Sequence, residues 1–161
     1  KIEEYKMREP ELLIEPGRYI VADAGVLLAR VCAVNNALKK FIGIDAGMNT
    51  LLRPALYNAY HAAFVANKVN AQDEEIATIV GQVCENTDVL AKDRSLPRIE
   101  EGDLIAFLNA GAYGYSMSSQ YNSRPRCAEV LVSNGSSELI RERENFDDLI
   151  DSQRVPERLL K

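Results

Sequence analysis

Four short stretches of this sequence put chemically capable side chains where packing alone does not demand them. Cys84 and Glu85 end the apolar run 76–83 and are followed by Asn86-Thr87-Asp88, in the pattern Gly-x-x-Cys-Glu-Asn-x-Asp. Adjacent side chains on a strand point to opposite faces, so this thiol and carboxylate can serve one site only if the chain leaves strand geometry there. A cysteine in such a place otherwise packs as a small hydrophobe. Arg53 and Tyr57 are four residues apart, which on a helical turn puts both on one face. A guanidinium beside a phenol suits a carboxylate, because its fork can donate two parallel bonds. The same pair also occurs as a surface Arg stacked on a Tyr. In Glu15-Pro16-Gly17-Arg18 the chain turns sharply, and Gly17 lets a ligand approach the backbone. The amides opening the next helix would face the same spot as an anion site; the alternative is an ordinary turn with a solvated Arg. Gly111-Ala112-Tyr113-Gly114 sets two glycines around a tyrosine, either a tight loop presenting a phenol or a mobile loop.

The elements expected to hold these residues change in character along the chain. Leu12-Leu13-Ile14 is a short apolar run, broken by Pro16-Gly17. Ile20, Ala24, Leu27, Leu28 and Val31 then fall on one helical stripe. That predicts a strand–turn–helix unit. Beyond Val31 the pattern turns to β, with strands at 30–34 and 41–44 around Asn35-Asn36-Ala37. Residues 51–61 suit one or two helical turns, Pro54 being tolerated near a helix start. Further strands are expected at 62–69, 75–83, 103–108, 128–132 and 138–143, with Asn70-Ala71-Gln72-Asp73 between the first two. Asn134-Gly135 is the strongest hairpin signal, since both residues accept positive φ. A short amphipathic helix is expected at 146–150. One βα unit followed by many strands predicts a mainly β chain with a barrel or sandwich.

With 161 residues the chain can bury one ordinary core, and 47% apolar with 27% charged residues argues against disorder. A net charge of -5 gives no reason to expect nucleic acid or an anionic membrane as partner. No apolar stretch approaches the roughly 20 residues of a membrane helix, and Lys1-Ile2-Glu3-Glu4-Tyr5-Lys6 is too charged for a secretory signal. The first residue is not Met, so a piece of a longer chain is expected. Cys32, Cys84 and Cys127 are widely spaced and His61 is the single histidine, so neither a disulfide framework nor a zinc site is expected. Free thiols suit a reducing cytoplasm. Cys32 and Cys127 look like core or strand filler. The alternating charges Arg141-Glu142-Arg143-Glu144 look like a solvated strand face.

Taken in order, Glu15-Pro16-Gly17-Arg18, Arg53-Pro54-Ala55-Leu56-Tyr57, the Cys84-Glu85 pattern and Gly111-Ala112-Tyr113-Gly114 resemble the C-terminal part of the diaminopimelate decarboxylase family, fold-type-III pyridoxal-phosphate enzymes. Asp45-Ala46-Gly47-Met48-Asn49, Tyr60-His61 and the 115–122 stretch also look like that family, and the likeness spans nearly all of 12–160. Tyr121-Asn122 and the arginines after it are close to a family stretch but shifted in spacing, and carry no assigned role. The resemblance implies that residues 1–31 are the tail of the pyridoxal-phosphate-binding (β/α)8 barrel and 32–161 the C-terminal β-domain. It implies decarboxylation of meso-2,6-diaminopimelate to L-lysine and carbon dioxide, with pyridoxal 5'-phosphate as cofactor. Glu15, Pro16, Gly17, Arg18 and Tyr113 would lie against the cofactor, whose Schiff-base lysine is expected upstream of residue 1. Arg18, Arg53, Tyr57, Glu85 and Tyr113 would bind substrate, Glu85 taking its far amino group. Cys84 would be the proton donor, a role a thiol fits because free thiols titrate near pH 8.5. The resemblance further implies a cytoplasmic homodimer with active sites shared across its interface, and a fragment that is inactive alone. Two alternatives stay open: a sister decarboxylase of the ornithine, arginine or carboxynorspermidine type, and a non-catalytic regulatory relative.

Overall fold

The computed structural model describes residues 1–72 and 74–160. In chain order the elements are α1 (Gly17–Val21), β1 (Leu27–Asn36), β2 (Lys40–Ile44), α2 (Arg53–Tyr57), β3 (Ala63–Val65), β4 (Glu75–Val80), β5 (Val89–Leu96), β6 (Leu104–Phe107), β7 (Glu129–Ser133), β8 (Ser136–Arg141) and α3 (Phe146–Ile150). Six strands form one sheet in the order β3-β6-β1-β2-β4-β5, and β7-β8 is a separate hairpin. Within the large sheet only β2 and β4 run parallel. The two edge strands, β3 and β5, touch each other, so the sheet curls almost into a barrel. The mainly β expectation holds.

The core lies inside that curl. Leu27, Ala29 and Val31 turn inward on β1 while Leu28, Arg30 and Cys32 face out. They meet Ile42 and Ile44 of β2, Ile79 of β4, and Ile105 and Phe107 of β6, all buried. Each large apolar side chain so enclosed contributes about 1.5–3 kcal/mol. A buried carboxylate pins the start of β6. Asp103 accepts from Asn67 Nδ2 at 2.7 Å, Lys68 Nζ at 2.8 Å and the Glu100 amide at 2.8 Å.

The helical stripe expected over 20–31 is not formed. α1 stops at Val21, and Leu27 opens a ten-residue strand. The alternation of Leu27, Ala29 and Val31 is the period that wins, because those side chains can reach a core only from a strand. Residues 12–14 are exposed and pair with none of the described residues, so the expected strand is absent there. The strand at 62–69 shortens to β3 before a 3₁₀ turn that carries Asn67 and Lys68 toward Asp103. Asp73, in the expected turn, lies outside the described residues. β5 has no counterpart among the expected strands. The Asn134-Gly135 hairpin forms as expected, with φ of 50° and 79°. So does the helix at 146–150, capped by Asn145, whose side chain accepts from the Asp147 and Asp148 amides.

Two expectations about bland residues need correcting. Cys32 lies on a strand, one of the two places expected, but on its exposed outward face and not in the core. Arg141 and Glu144 are more than a solvated face. Arg141 pairs with Glu129 and lies over the Tyr115 ring at 4.3 Å. Glu144 accepts from Gln120 Nε2 at 3.0 Å and the Arg126 amide at 2.9 Å. These contacts hold the 115–126 loop against the hairpin.

Candidate active site

α2 is a single turn with Pro54 at its start and Asn58, at φ 50°, closing it in a left-handed cap. Arg53 and Tyr57 therefore share a face, and the Arg53 guanidinium carbon lies 5.5 Å from the centroid of the Tyr57 ring. A second ring completes the group. Tyr113 brings its centroid to 5.3 Å from the same carbon. Tyr113 sits at φ 62°, a backbone region that costs a non-glycine residue on the order of 1 kcal/mol or more. The loop holding it there is tight, since a Cβ at Gly114 would collide with the Ala110 carbonyl. His61 is buried and donates from Nδ1 to the Leu108 carbonyl at 2.9 Å, tying the segment after α2 to the end of β6, where the Tyr113 loop begins.

The 15–18 turn meets this group from the other side. A Cβ at Gly17 would stand 3.3 Å from the Tyr113 hydroxyl. What brings it there is backbone packed on backbone. The Gly111 amide donates to Ala22 O at 3.0 Å and the Ala110 amide to Gly25 O at 2.8 Å. A Cβ at Gly111 would collide with Val21 O, and one at Gly25 with the Gly111 backbone. Both glycines are thus required by close approach. Glu15 and Arg18 flank the turn, exposed and without side-chain hydrogen bonds among the described residues.

Cys84 and Glu85 do leave strand geometry, as a shared role requires. β4 ends at Val80, and 81–88 is a sequence of bends and turns that exposes both side chains. Asn122, at φ 56°, donates from Nδ2 to Cys84 Sγ at 3.5 Å. No hydrogen bond or ion pair among the described residues joins Cys84-Glu85 to the Arg53 group. By their contacts the expected site residues divide: Gly17, Arg53, Tyr57 and Tyr113 are gathered together with Glu15, Pro16 and Arg18 at the adjoining turn, while Cys84 and Glu85 are exposed on the 81–88 loop.

The sequence assigned no role to Asp88, His61 or Asn122 and gave no sign of the Gly25–Gly111 contact. Asp88 stood inside the quoted Cys-Glu-Asn-x-Asp pattern, yet only its fold shows what it holds. Asp88 is 3% exposed, and its carboxylate accepts from the Met48 amide at 2.6 Å and the Val83 amide at 2.7 Å. Burial pushes its carboxyl above the usual carboxylate range, against the opposing pull of those two amides and of Arg124.

Residues 18–111 match the family described as pyridoxal-dependent decarboxylase, C-terminal sheet domain. The chain belongs to that family. It is 57% identical over 152 residues to diaminopimelate decarboxylase of Archaeoglobus fulgidus, covering 94% of this chain and 36% of that protein. It is 54% identical over 161 residues to diaminopimelate decarboxylase of Methanothermobacter thermautotrophicus, covering 100% of this chain and 38% of that protein. The chain thus spans little more than a third of the length of these relatives. Among solved structures, diaminopimelate decarboxylase of M. jannaschii in complex with L-lysine superimposes with a TM-score of 0.85 at 42% identity, covering 98% of this chain and 37% of that one. The curled sheet is the C-terminal sheet domain of the fold-type-III decarboxylases.

Proposed function

We propose that the chain forms the C-terminal portion of a diaminopimelate decarboxylase, which converts meso-2,6-diaminopimelate to L-lysine and carbon dioxide. The observation that carries this reading is the Arg53 guanidinium lying over both the Tyr57 and Tyr113 rings, with the Gly17 turn against the Tyr113 hydroxyl. The similarity to curated diaminopimelate decarboxylases along nearly the whole chain supports it. Residues 1–31 would close a barrel and 32–161 form the β-domain, with β1 crossing that boundary and paired within the sheet on both sides of it.

The residues present fit pyridoxal 5'-phosphate. Gly17 leaves a space beside the Tyr113 hydroxyl that any side chain would begin to fill. Gly17, Arg18 and Tyr113 would hold the cofactor, with Glu15 and Pro16 shaping the turn, and the cofactor supplies an electron sink for the carbon that loses its carboxylate. Arg53 and Tyr57 bind a substrate carboxylate, the guanidinium fork fixing its plane. Arg18 adds a second positive charge on that side. The Glu85 carboxylate takes the far ammonium group by charge complementarity. Cys84 holds a proton at Sγ for the carbon from which carbon dioxide departs.

Cys84 and Glu85 are exposed and make no hydrogen bond or ion pair with the Arg53 group among the described residues, which supports a homodimer in which they complete the partner's site. The free thiols agree with a cytoplasmic location. Hybrid dimers test the arrangement. Full-length Cys84→Ala protein is refolded in equal amounts with a variant disabled in its cofactor-holding lysine. Shared sites predict recovery to about a quarter of wild-type activity, because random pairing makes half the dimers hybrids with one intact site each. No recovery, with hybrids confirmed, refutes sharing. A better kcat/KM for ornithine than for meso-diaminopimelate refutes the substrate.

A further inference from the structure

We infer that Asp88 is the positioning residue that fixes Cys84 and Glu85 against the segment leading to Arg53. This rests on the functional reading of Cys84 and Glu85 given above. In the proposed homodimer one chain's Arg53 set meets the partner's Cys84 and Glu85, so each chain must hold its own two sets in fixed register, although no hydrogen bond or ion pair joins them among the described residues. Two loops are involved. The 45–51 loop leaves β2 and delivers α2 with Arg53; the 81–88 loop leaves β4 and delivers Cys84 and Glu85. Asp88 is where they meet.

One oxygen of its carboxylate accepts from the Met48 amide on the first loop at 2.6 Å. The other accepts from the Val83 amide on the second, next to Cys84, at 2.7 Å. Its backbone closes the second loop on itself, the Asp88 amide donating to Glu85 O at 3.0 Å and Asp88 O accepting from the Gly81 amide at 3.0 Å. The notch around the carboxylate is lined by glycine. A Cβ at Gly47 would lie 3.0 and 3.1 Å from the two oxygens, and a Cβ at Gly81 would collide with both of them and with the Gly47 Cα. So Gly81 and Gly47 are small because the two loops approach each other around this carboxylate.

Charge makes the arrangement specific. A carboxylate offers acceptors on both oxygens, which two converging amides require. An amide of the same shape sets its own NH₂ against one of those donors, leaving a buried N–H unpaired. The buried group also has no carboxylate-binding Lys or Arg within ion-pair distance among the described residues. Its partners are the two loops themselves.

The test uses the full-length holoenzyme and its Asp88→Asn variant, with rates normalised to cofactor-loaded sites. Loss of one charged hydrogen bond corresponds to roughly a tenfold or greater fall in kcat/KM on meso-diaminopimelate. Amide hydrogen exchange at Met48 and at Val83 is expected to speed up together in that variant, which general destabilisation of a distant element does not produce. A kcat/KM within twofold of wild type, or faster exchange at Val83 with Met48 unchanged, overturns the inference. Cys84→Ala is run beside it. If that variant is inactive while Asp88→Asn is normal, the positioning role fails and the functional reading stands. If Cys84→Ala keeps full activity, the functional reading fails and exchange alone judges whether the loops are coupled. Should Asp88→Asn not fold, wild-type exchange decides. One carboxylate holding both amides predicts opening constants within about twofold of each other, and a difference above about tenfold overturns the coupling.

Discussion

Arg53→Lys is the sharpest probe of the proposed carboxylate site. The substitution keeps the charge and removes both the planar fork and the flat surface that lies over two tyrosine rings. A charged hydrogen bond contributes about 1.5–3 kcal/mol, and each aromatic contact about 0.5–1 kcal/mol at a partly exposed position such as this. Lysine can still make one bond to the carboxylate and keep part of the aromatic contact. The expected net loss is therefore about 2–3 kcal/mol of transition-state binding, or roughly 30- to 160-fold in kcat/KM. The assay is carbon dioxide release from meso-diaminopimelate by the full-length enzyme, with kcat and KM measured separately. Tyr57→Phe serves as the companion, since it keeps the ring under the guanidinium and removes only the hydroxyl. It is expected to lose about 1 kcal/mol, several-fold in kcat/KM. A kcat/KM for Arg53→Lys within threefold of wild type removes Arg53 from the site, and with it the geometric basis of the functional reading.

What the sequence revealed and what it hid divide along physical lines. Arg53 and Tyr57 were legible because i and i+4 on one turn is a property of the local chain, and α2 forms where Pro54 allows it. The hairpin at Asn134-Gly135 and the capped helix at Phe146–Ile150 were legible for the same reason. Alternation required a departure from strand geometry at Cys84-Glu85 if both were to serve one site, and the chain does leave the strand there. The misread helix over 20–31 is a case of two periods fitting one set of positions. Leu27 and Val31 are four apart and so satisfy both a helical face and a strand face, and only the sheet decides between them. β5 was hidden because Asp93, at φ 48°, interrupts its alternation, and the pairing with β4 shifts register there. Asp88 and the Gly25–Gly111 contact were invisible for a different reason. Their partners are backbone amides and carbonyls, and every residue type supplies those. A sequence carries no mark of which distant backbone will face a given side chain.

Three further predictions concern the scaffold. Gly111→Ala places a Cβ against Val21 O and should push the Gly17 turn away from Tyr113, lowering kcat/KM of the full-length enzyme by at least roughly tenfold while the β7–β8 hairpin keeps its protection from exchange. Recovery of normal kinetics would show that the contact does not set the site. Asp103→Ala removes the acceptor shared by Lys68 Nζ, Asn67 Nδ2 and the Glu100 amide, leaving Lys68 only the Arg98 carbonyl and Glu100 among the described residues, at an expected cost of about 2–3 kcal/mol, read as a lower unfolding midpoint in urea. The same carboxylate fixes the sign of the acid response. Burial alone would raise its pKa, but the hydrogen bonds from Lys68, Asn67 and the Glu100 amide, with the Lys68 charge, outweigh it and hold the carboxyl below the usual 3.8. Glu144 is likewise held below 4.5 by the Arg126 amide first and Gln120 second. A depressed folded pKa means that the unfolded chain binds the proton more readily, so the stabilisation is present above the unfolded values and fades as pH falls through the folded ones. Asp88 runs the other way: its raised pKa means that protonation favours the folded state, and its contribution is lost as pH rises through the folded value. Acid unfolding of wild type should thus be steeper below about pH 4 than that of Asp103→Asn. Equal pH slopes for the two would mean that the Asp103 carboxylate is not stabilised by its partners in the folded protein.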